Sequence, residues 1–192
     1  MKFAPFFAVL VAAMLALAGT AAAAEYVIDT DKGHASINFR IKHLGYSWLT
    51  GRFDDFAGTF SYDEANPAAS KVKVEINTDS INSNHAERDK HLRGKEFLDT
   101  AKYPKAVFES TAVNMNGNNK ATIVGNLTLH GVTKEIAIAA EPIGGGADPW
   151  GGYRQGFTGT TTLPLKDFGI NFDLGPASQA VELTLNVEGV RK

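Results

Sequence analysis

The densest run of chemistry-bearing side chains is Asn84-His85-Ala86-Glu87-Arg88-Asp89-Lys90-His91-Leu92. Arg88, Asp89 and His91 offer a cation, an anion and a ring whose charge changes near neutral pH. Such a trio could hydrogen-bond the polar head of an amphiphilic ligand, and His91 would make that binding pH-sensitive. Arg88 and Asp89 are adjacent, so on a helix they point about 100° apart. Each can equally cap the helix or tie it to the rim of the fold. Asp89 and His91 with Ser83 match no catalytic triad pattern, and the chain has no Gly-x-Ser-x-Gly nucleophile elbow. The run Gly144-Gly145-Gly146 leads to Pro149 and a strand pattern, not to the helix that a phosphate-cradling loop requires. We assign no catalytic residue.

Five histidines raise the question of a metal, since an exported zinc protein would use His with Asp or Glu. Spacing argues against it. His85 and His91 are six apart, not the i, i+4 pair of a helical site, and His34, His43 and His130 fall near strand ends with no acidic partner at useful spacing. No metal site and no cofactor are expected.

Lys2, the apolar run Phe3 to Ala18 and the small residues Ala22-Ala23-Ala24 have the pattern of a secretory signal cleaved before Glu25. Residues 1–24 are therefore read as a leader and 25–192 as one domain, expected in the periplasm. The apolar run is short for a bilayer span, so no stable membrane anchor is expected. An exported chain without cysteine has no disulfide framework, no lipoprotein anchor and no thiol chemistry. Its 19 basic and 21 acidic residues are mixed along the chain with no basic block, which leaves no electrostatic basis for a nucleic-acid partner.

The elements that must position these groups read as strands, because apolar and polar residues alternate almost throughout. Ile37, Phe39 and Ile41 share one parity against Ser36, Asn38, Arg40 and Lys42. Gly51 to Tyr62 continues the pattern and shifts parity at Asp54-Asp55, which predicts a bulge there. Val72, Val74 and Ile76 mark a third strand. Lys105–Met115, Ala121–Leu129 and Thr133–Ala140 form a meander, with tight turns at Asn116-Gly117 and His130-Gly131. Tyr153–Pro164 and Gln179–Val190 complete about eight strands. One short helix runs from a cap near Asn84, with Glu87 at N3, to Gly94, and a helical turn follows near Lys95 to Thr100. Gly145 to Gly152 reads as a mobile rim loop. Long antiparallel strands with so little helix favour an all-β, up-and-down eight-stranded barrel, wide enough to hold one small ligand.

The run from Asn84 to Leu92, with Glu96-Phe97-Leu98-Asp99, Tyr103-Pro104 and Phe108-Glu109-Ser110, resembles the central signature of the YceI family. His34 to Phe39 with His43-Leu44-Gly45, Gly51-Arg52-Phe53 with Phe56-Ala57-Gly58, Gly125 to Lys134, and Asp167-Phe168-Gly169-Ile170 follow in the family's order. The resemblance covers essentially the whole of residues 25–192. Gly94 and Lys166 depart from it mildly, standing where a polar residue and Arg, respectively, are commoner. The resemblance implies an elongated, lipocalin-like periplasmic barrel without established catalytic residues, whose apolar tunnel takes up a polyisoprenoid or other long-chain amphiphilic lipid.

Alternation supplies such a lining. Ile37, Phe39, Ile41, Phe53, Phe56, Phe60, Val74, Ile76, Phe108 and Leu127 are the inward candidates, and each buried CH₂ of a ligand would contribute about 0.8 kcal/mol. The same residues would equally fill a closed core. Two functions therefore stand: a carrier that sequesters a lipid, and an envelope interaction module that binds a protein partner through rim loops carrying Trp150. A two-fold homodimer is left open.

Overall fold

The computed structural model describes residues 23–192, so the leader, apart from its last two positions, lies outside the described residues. The strands are β1 (Ala24–Ile28), β2 (Ser36–His43), β3 (Ser47–Phe53), β4 (Phe56–Tyr62), β5 (Lys71–Asn77), β6 (Ile81–Asn82), β7 (Lys105–Gly117), β8 (Lys120–Leu129), β9 (Val132–Ala147), β10 (Tyr153–Pro164) and β11 (Ala180–Arg191), with one helix, α1 (Ala86–Leu92). All pairings are antiparallel. They run β1-β4-β5-β7-β8-β9-β10-β11, and β11 returns to β1, closing a barrel.

Three staves of this barrel are each made of two strands. β11 pairs with β2 through Glu182–Asn186 and with β1 through Gly189–Arg191, so β1 and β2 continue one another. β3 and β4 do the same across Asp54-Asp55, and β5 and β6 across a single 3-10 turn, Thr78–Ser80. Eight staves result, as alternation predicts. The interruptions keep their backbone groups paired: Asp54 N–H donates to the Ser80 carbonyl at 3.2 Å and Asn77 N–H to the Asp55 carbonyl at 3.0 Å.

Inward residues pack in three contiguous groups. Tyr26, Ile28, Ile37, Phe56 and Phe60 form one, Phe108, Leu127, Ile138, Leu163 and Phe168 another. The third joins Phe39 and Ile81 to Phe97, Leu98 and Ile170, which arrive from the segments after α1 and after β10 and seal that end. Inward glycines make room for the rings. A Cβ on Gly125 would lie 2.6 Å from the Phe108 ring and 2.5 Å from the Glu109 carbonyl oxygen, and Gly51 and Gly189 sit likewise against Phe39 and Phe60.

Local details differ from the sequence reading for identifiable reasons. The cap of α1 is His85, whose Nδ1 accepts Arg88 N–H at 3.2 Å, whereas Asn84 turns to a left-handed φ of 61° and gives its N–H to Asn82 Oδ1. The β7–β8 turn is Asn118-Asn119, with φ of 50° and 59°, because asparagine tolerates that region and lets the ladder run as far as Gly117, which pairs with Lys120. His130-Gly131 turns as expected. Residues 95–100 form turns rather than a helical turn, held by bonds such as Leu98 N–H to the Leu92 carbonyl. The first part of the expected rim loop is strand: Gly145, Gly146 and Ala147 pair with Gln155, Arg154 and Tyr153, and Asp148–Gly152 form the turn.

A cavity at the open end of the barrel

The end opposite α1 is not filled. A cavity of about 300 Å³ opens there, walled by Phe60 and Tyr62 of β4, Val72 of β5, Val113 and Met115 of β7, Ala121 and Ile123 of β8, Ala140, Pro142, Gly144 and Gly145 of β9, Tyr153, Gln155 and Phe157 of β10, and Val187 of β11. The space exists because inward positions shrink toward this end: Ala121, Ala140 and Gly145 stand where larger side chains would meet. Tyr62 is held above its usual pKa by burial, with Glu64 adding to the effect, so its hydroxyl stays protonated. The wall is apolar apart from the Gln155 amide, Ser61, Ser70, the two tyrosine hydroxyls, the exposed Asn119 amide and a charged fringe of Glu64, Lys71 and Glu141.

Of the ten inward candidates, Phe60 alone lines this cavity. Ile37 and Phe56 are buried beside Phe60, with Phe53, Val74 and Ile76 packed against them; Phe39 lies in the sealed end, and Phe108 and Leu127 share the third group. Ile41 is partly buried on β2. Their parity places them in packed interior, deeper than the open space. Alternation identifies a face and gives no depth along the barrel axis.

Arg88, Asp89 and His91 belong to the sealed end and line no part of the cavity. Arg88 and Asp89 grip the same residue: Arg88 donates from Nε to Ser83 Oγ at 2.8 Å and from Nη2 to the Ser83 carbonyl at 2.6 Å, while Asp89 accepts Ser83 N–H at 2.8 Å and its hydroxyl. Burial raises the Asp89 pKa, but the two Ser83 hydrogen bonds and the charges of Arg93 and Arg88 outweigh it and hold the carboxyl below its ordinary value. His91 Nε2 pairs with Glu96 at 2.7 Å, and the ring stands edge-on to Phe97 and Phe172. The trio ties α1 to β6 and to the sealing segment.

The structure also assembles a cluster that spacing does not reveal. His34 Nδ1 lies 3.0 Å from Asp29 Oδ2 and 3.6 Å from Glu188 Oε1, so His34 does have acidic partners, contrary to the sequence reading. Arg154 Nη1 sits between the same carboxylates, 2.6 Å from Asp29 and 2.5 Å from Glu188, and its Nε reaches Asp148 at 3.0 Å. Asp29, His34 and Glu188 are a ligand-type group, and two of them, the carboxylates Asp29 and Glu188, serve with Asp148 as counter-ions of the guanidinium. Arg154 holds the Asp29 pKa below its ordinary value, opposed by burial and aided by His34. Asp148 is lowered too, first by the Gly152 N–H, against burial, and then by Trp150 N–H and Arg154. Asp148 thereby fixes the β9–β10 turn beside the cavity mouth.

Comparison with known proteins follows from this geometry. The model of the YceI-like domain matches residues 26–189, which takes in every stave of the barrel and all of the cavity wall. The chain belongs to the YceI-like family. A UPF0312 protein of Pseudomonas aeruginosa is 65% identical to it over 175 residues, 91% of each chain. The crystal structure of Burkholderia cenocepacia BcnA superposes with a TM-score of 0.76 at 21% identity, covering 84% of this chain and 98% of that one. A polyisoprenoid binding domain from Saccharophagus degradans, implicated in plant cell wall breakdown, matches with a TM-score of 0.64 at 16% identity over 88% of this chain and 99% of that one. At those identities the two structures establish a shared fold. The YceI-like barrel of this chain therefore has a sealed end carrying α1 and an open end carrying the cavity.

Proposed function

We propose that this YceI-like domain is exported to the periplasm, loses residues 1–24, and there binds a long-chain isoprenoid or related amphiphilic lipid, which it sequesters or carries without chemical change. The observation that carries this reading is the apolar-walled cavity opening at one end of an otherwise packed barrel. Membership of the YceI-like family and the shared fold of a polyisoprenoid binding domain support it. About ten buried ligand carbons would contribute on the order of 8 kcal/mol, above the low end of the freedom lost on association.

A second reading has its own observation: Trp150, 77% exposed, crowns the turn that Asp148 fixes beside the mouth. In this reading the rim recognises an envelope protein and the cavity is incidental. Native mass spectrometry of protein purified gently from its own envelope separates the two. The carrier reading expects a stoichiometric lipid that is lost in Ala140→Trp, which fills the cavity, and kept in Trp150→Ala. An apo mass under conditions that preserve control lipid complexes would refute it.

A further inference from the structure

Gln155 is the buried amide of the cavity wall, Asn119 being exposed at its edge. It faces inward on β10 between Tyr153 and Phe157 and is only 7% exposed. Its Nε2 donates to the Gly144 carbonyl at 3.0 Å and toward the Gly156 carbonyl at 3.4 Å. Both partners are acceptors, so the amide has one sensible orientation: reversing it would set Oε1 against two carbonyl oxygens. Oε1 is therefore left facing the cavity, and among the described residues no N–H or O–H donates to it. Gly145 keeps that oxygen uncovered, since a Cβ there would overlap it. Ser70 Oγ also lacks a hydrogen-bond partner, but it is closed off behind the wall and does not face the open space.

We infer that this cavity selects a lipid whose polar end is an uncharged hydrogen-bond donor, a hydroxyl or an amide N–H, received by the Gln155 side-chain carbonyl. The inference rests on the lipid-binding reading and specifies the chemistry of the head. In the empty cavity water can serve Oε1. An apolar chain that displaces this water strands the oxygen, and leaving a buried acceptor unpaired is costly. A ligand hydroxyl repairs that loss. A quinone, ester or ether oxygen cannot donate. A phosphate at neutral pH offers mainly acceptors and meets a fringe where Glu64 and Glu141 face a single lining base, Lys71, although Lys120 pairs with Glu141 at 3.1 Å. The Tyr62 and Tyr153 hydroxyls sit at strand ends by the mouth and can turn to water, so they impose no comparable demand.

The test compares three probes that share one chain, geranylgeraniol, its methyl ether and its monophosphate, by competition for the purified full-length domain. The alcohol is expected to bind about tenfold more tightly than the ether, the scale of one hydrogen bond, and the phosphate more weakly than the alcohol. In Gln155→Met, which keeps the volume and removes the acceptor, the alcohol-to-ether ratio should fall to within about twofold while ether affinity is nearly unchanged. Gly145→Ala, which covers Oε1, should reduce the ratio in the same direction. Equal binding of alcohol and ether by the unaltered protein overturns the head-group assignment and leaves lipid binding intact. Failure of all three probes to bind overturns the lipid reading, and this assignment with it. The ratio in the unaltered protein decides the matter even where a variant does not fold.

Discussion

Tyr26 and Phe60 lie opposite one another on β1 and β4 and stack face to face, with ring centroids 4.7 Å apart and planes 8° from parallel. Phe60 also meets Phe157 edge-on at 5.6 Å and borders the cavity, so one ring joins the packed interior to the open space.

Replacing that ring should weaken the fold more than any change at the mouth. Phe60→Ala removes the stack, the contact with Phe157 and the cover over Gly189, and is expected to lower stability by about 3 kcal/mol. Urea unfolding with an unchanged slope would read this as a shift in midpoint. A midpoint within error of the parent would mean that the stack contributes nothing.

Acid should act through the aspartates. Arg154, and with it His34, holds Asp29 below the ordinary value of 3.8 against a smaller effect of burial. A carboxyl lowered in the folded state adds stability that is fully present above its unfolded pKa and is lost as pH falls through the folded one. The loss therefore falls below about pH 4, and Asp54, Asp89 and Asp148 act in the same direction. Asp29→Asn should lower the melting midpoint at pH 7, leave it nearly unchanged at pH 2, and so flatten the acid limb. An acid limb as steep as the parent's would show that the ion pair with Arg154 does not carry this dependence.

Gly125→Ala tests the close fit of glycine and ring. The new methyl would press on the Glu109 carbonyl, which belongs to the ladder and cannot swing away. A loss of about 1–3 kcal/mol is expected, whereas Gly144→Ala, with open space around it, should be near neutral. Thermal unfolding of the pair gives the comparison, and equal effects at the two sites would contradict it.

How much of this was legible in the chain depends on the range of the signal. The inward parity of Ile37, Phe39, Val74 and Phe108 could be read locally, because a strand's period of two is written in adjacent residues. The parity shift at Asp54-Asp55 announced the joint between β3 and β4. The β1 strand was missed because it is short and separated from β2 by residues 29–35, which face only two residues of β11. Arg154 and its carboxylates could not be found from spacing: Asp29 lies 125 positions away and meets Arg154 only because the barrel closes. The cavity did leave a trace, in the small inward residues Ala121, Ala140 and Gly145, but periodicity weighs residue type and not size. Arg88, Asp89 and His91 were recognisable as a polar group, yet only the contacts with Ser83 and Glu96 decide between fastening and binding.

The three two-part staves are neighbours, so their joints, at residues 29–35, 54–55 and 78–80, fall across one side of the barrel, while β7 to β11 run unbroken around the other. One side is a panel of continuous strands, each laddered to the next, with β9 meeting β10 through its half from Ala139 to Ala147; the other is a hinged shutter. A guest bulkier than the cavity would be accommodated by yielding at the shutter, since opening there breaks a few bonds at a joint, whereas opening the panel would unzip a whole ladder.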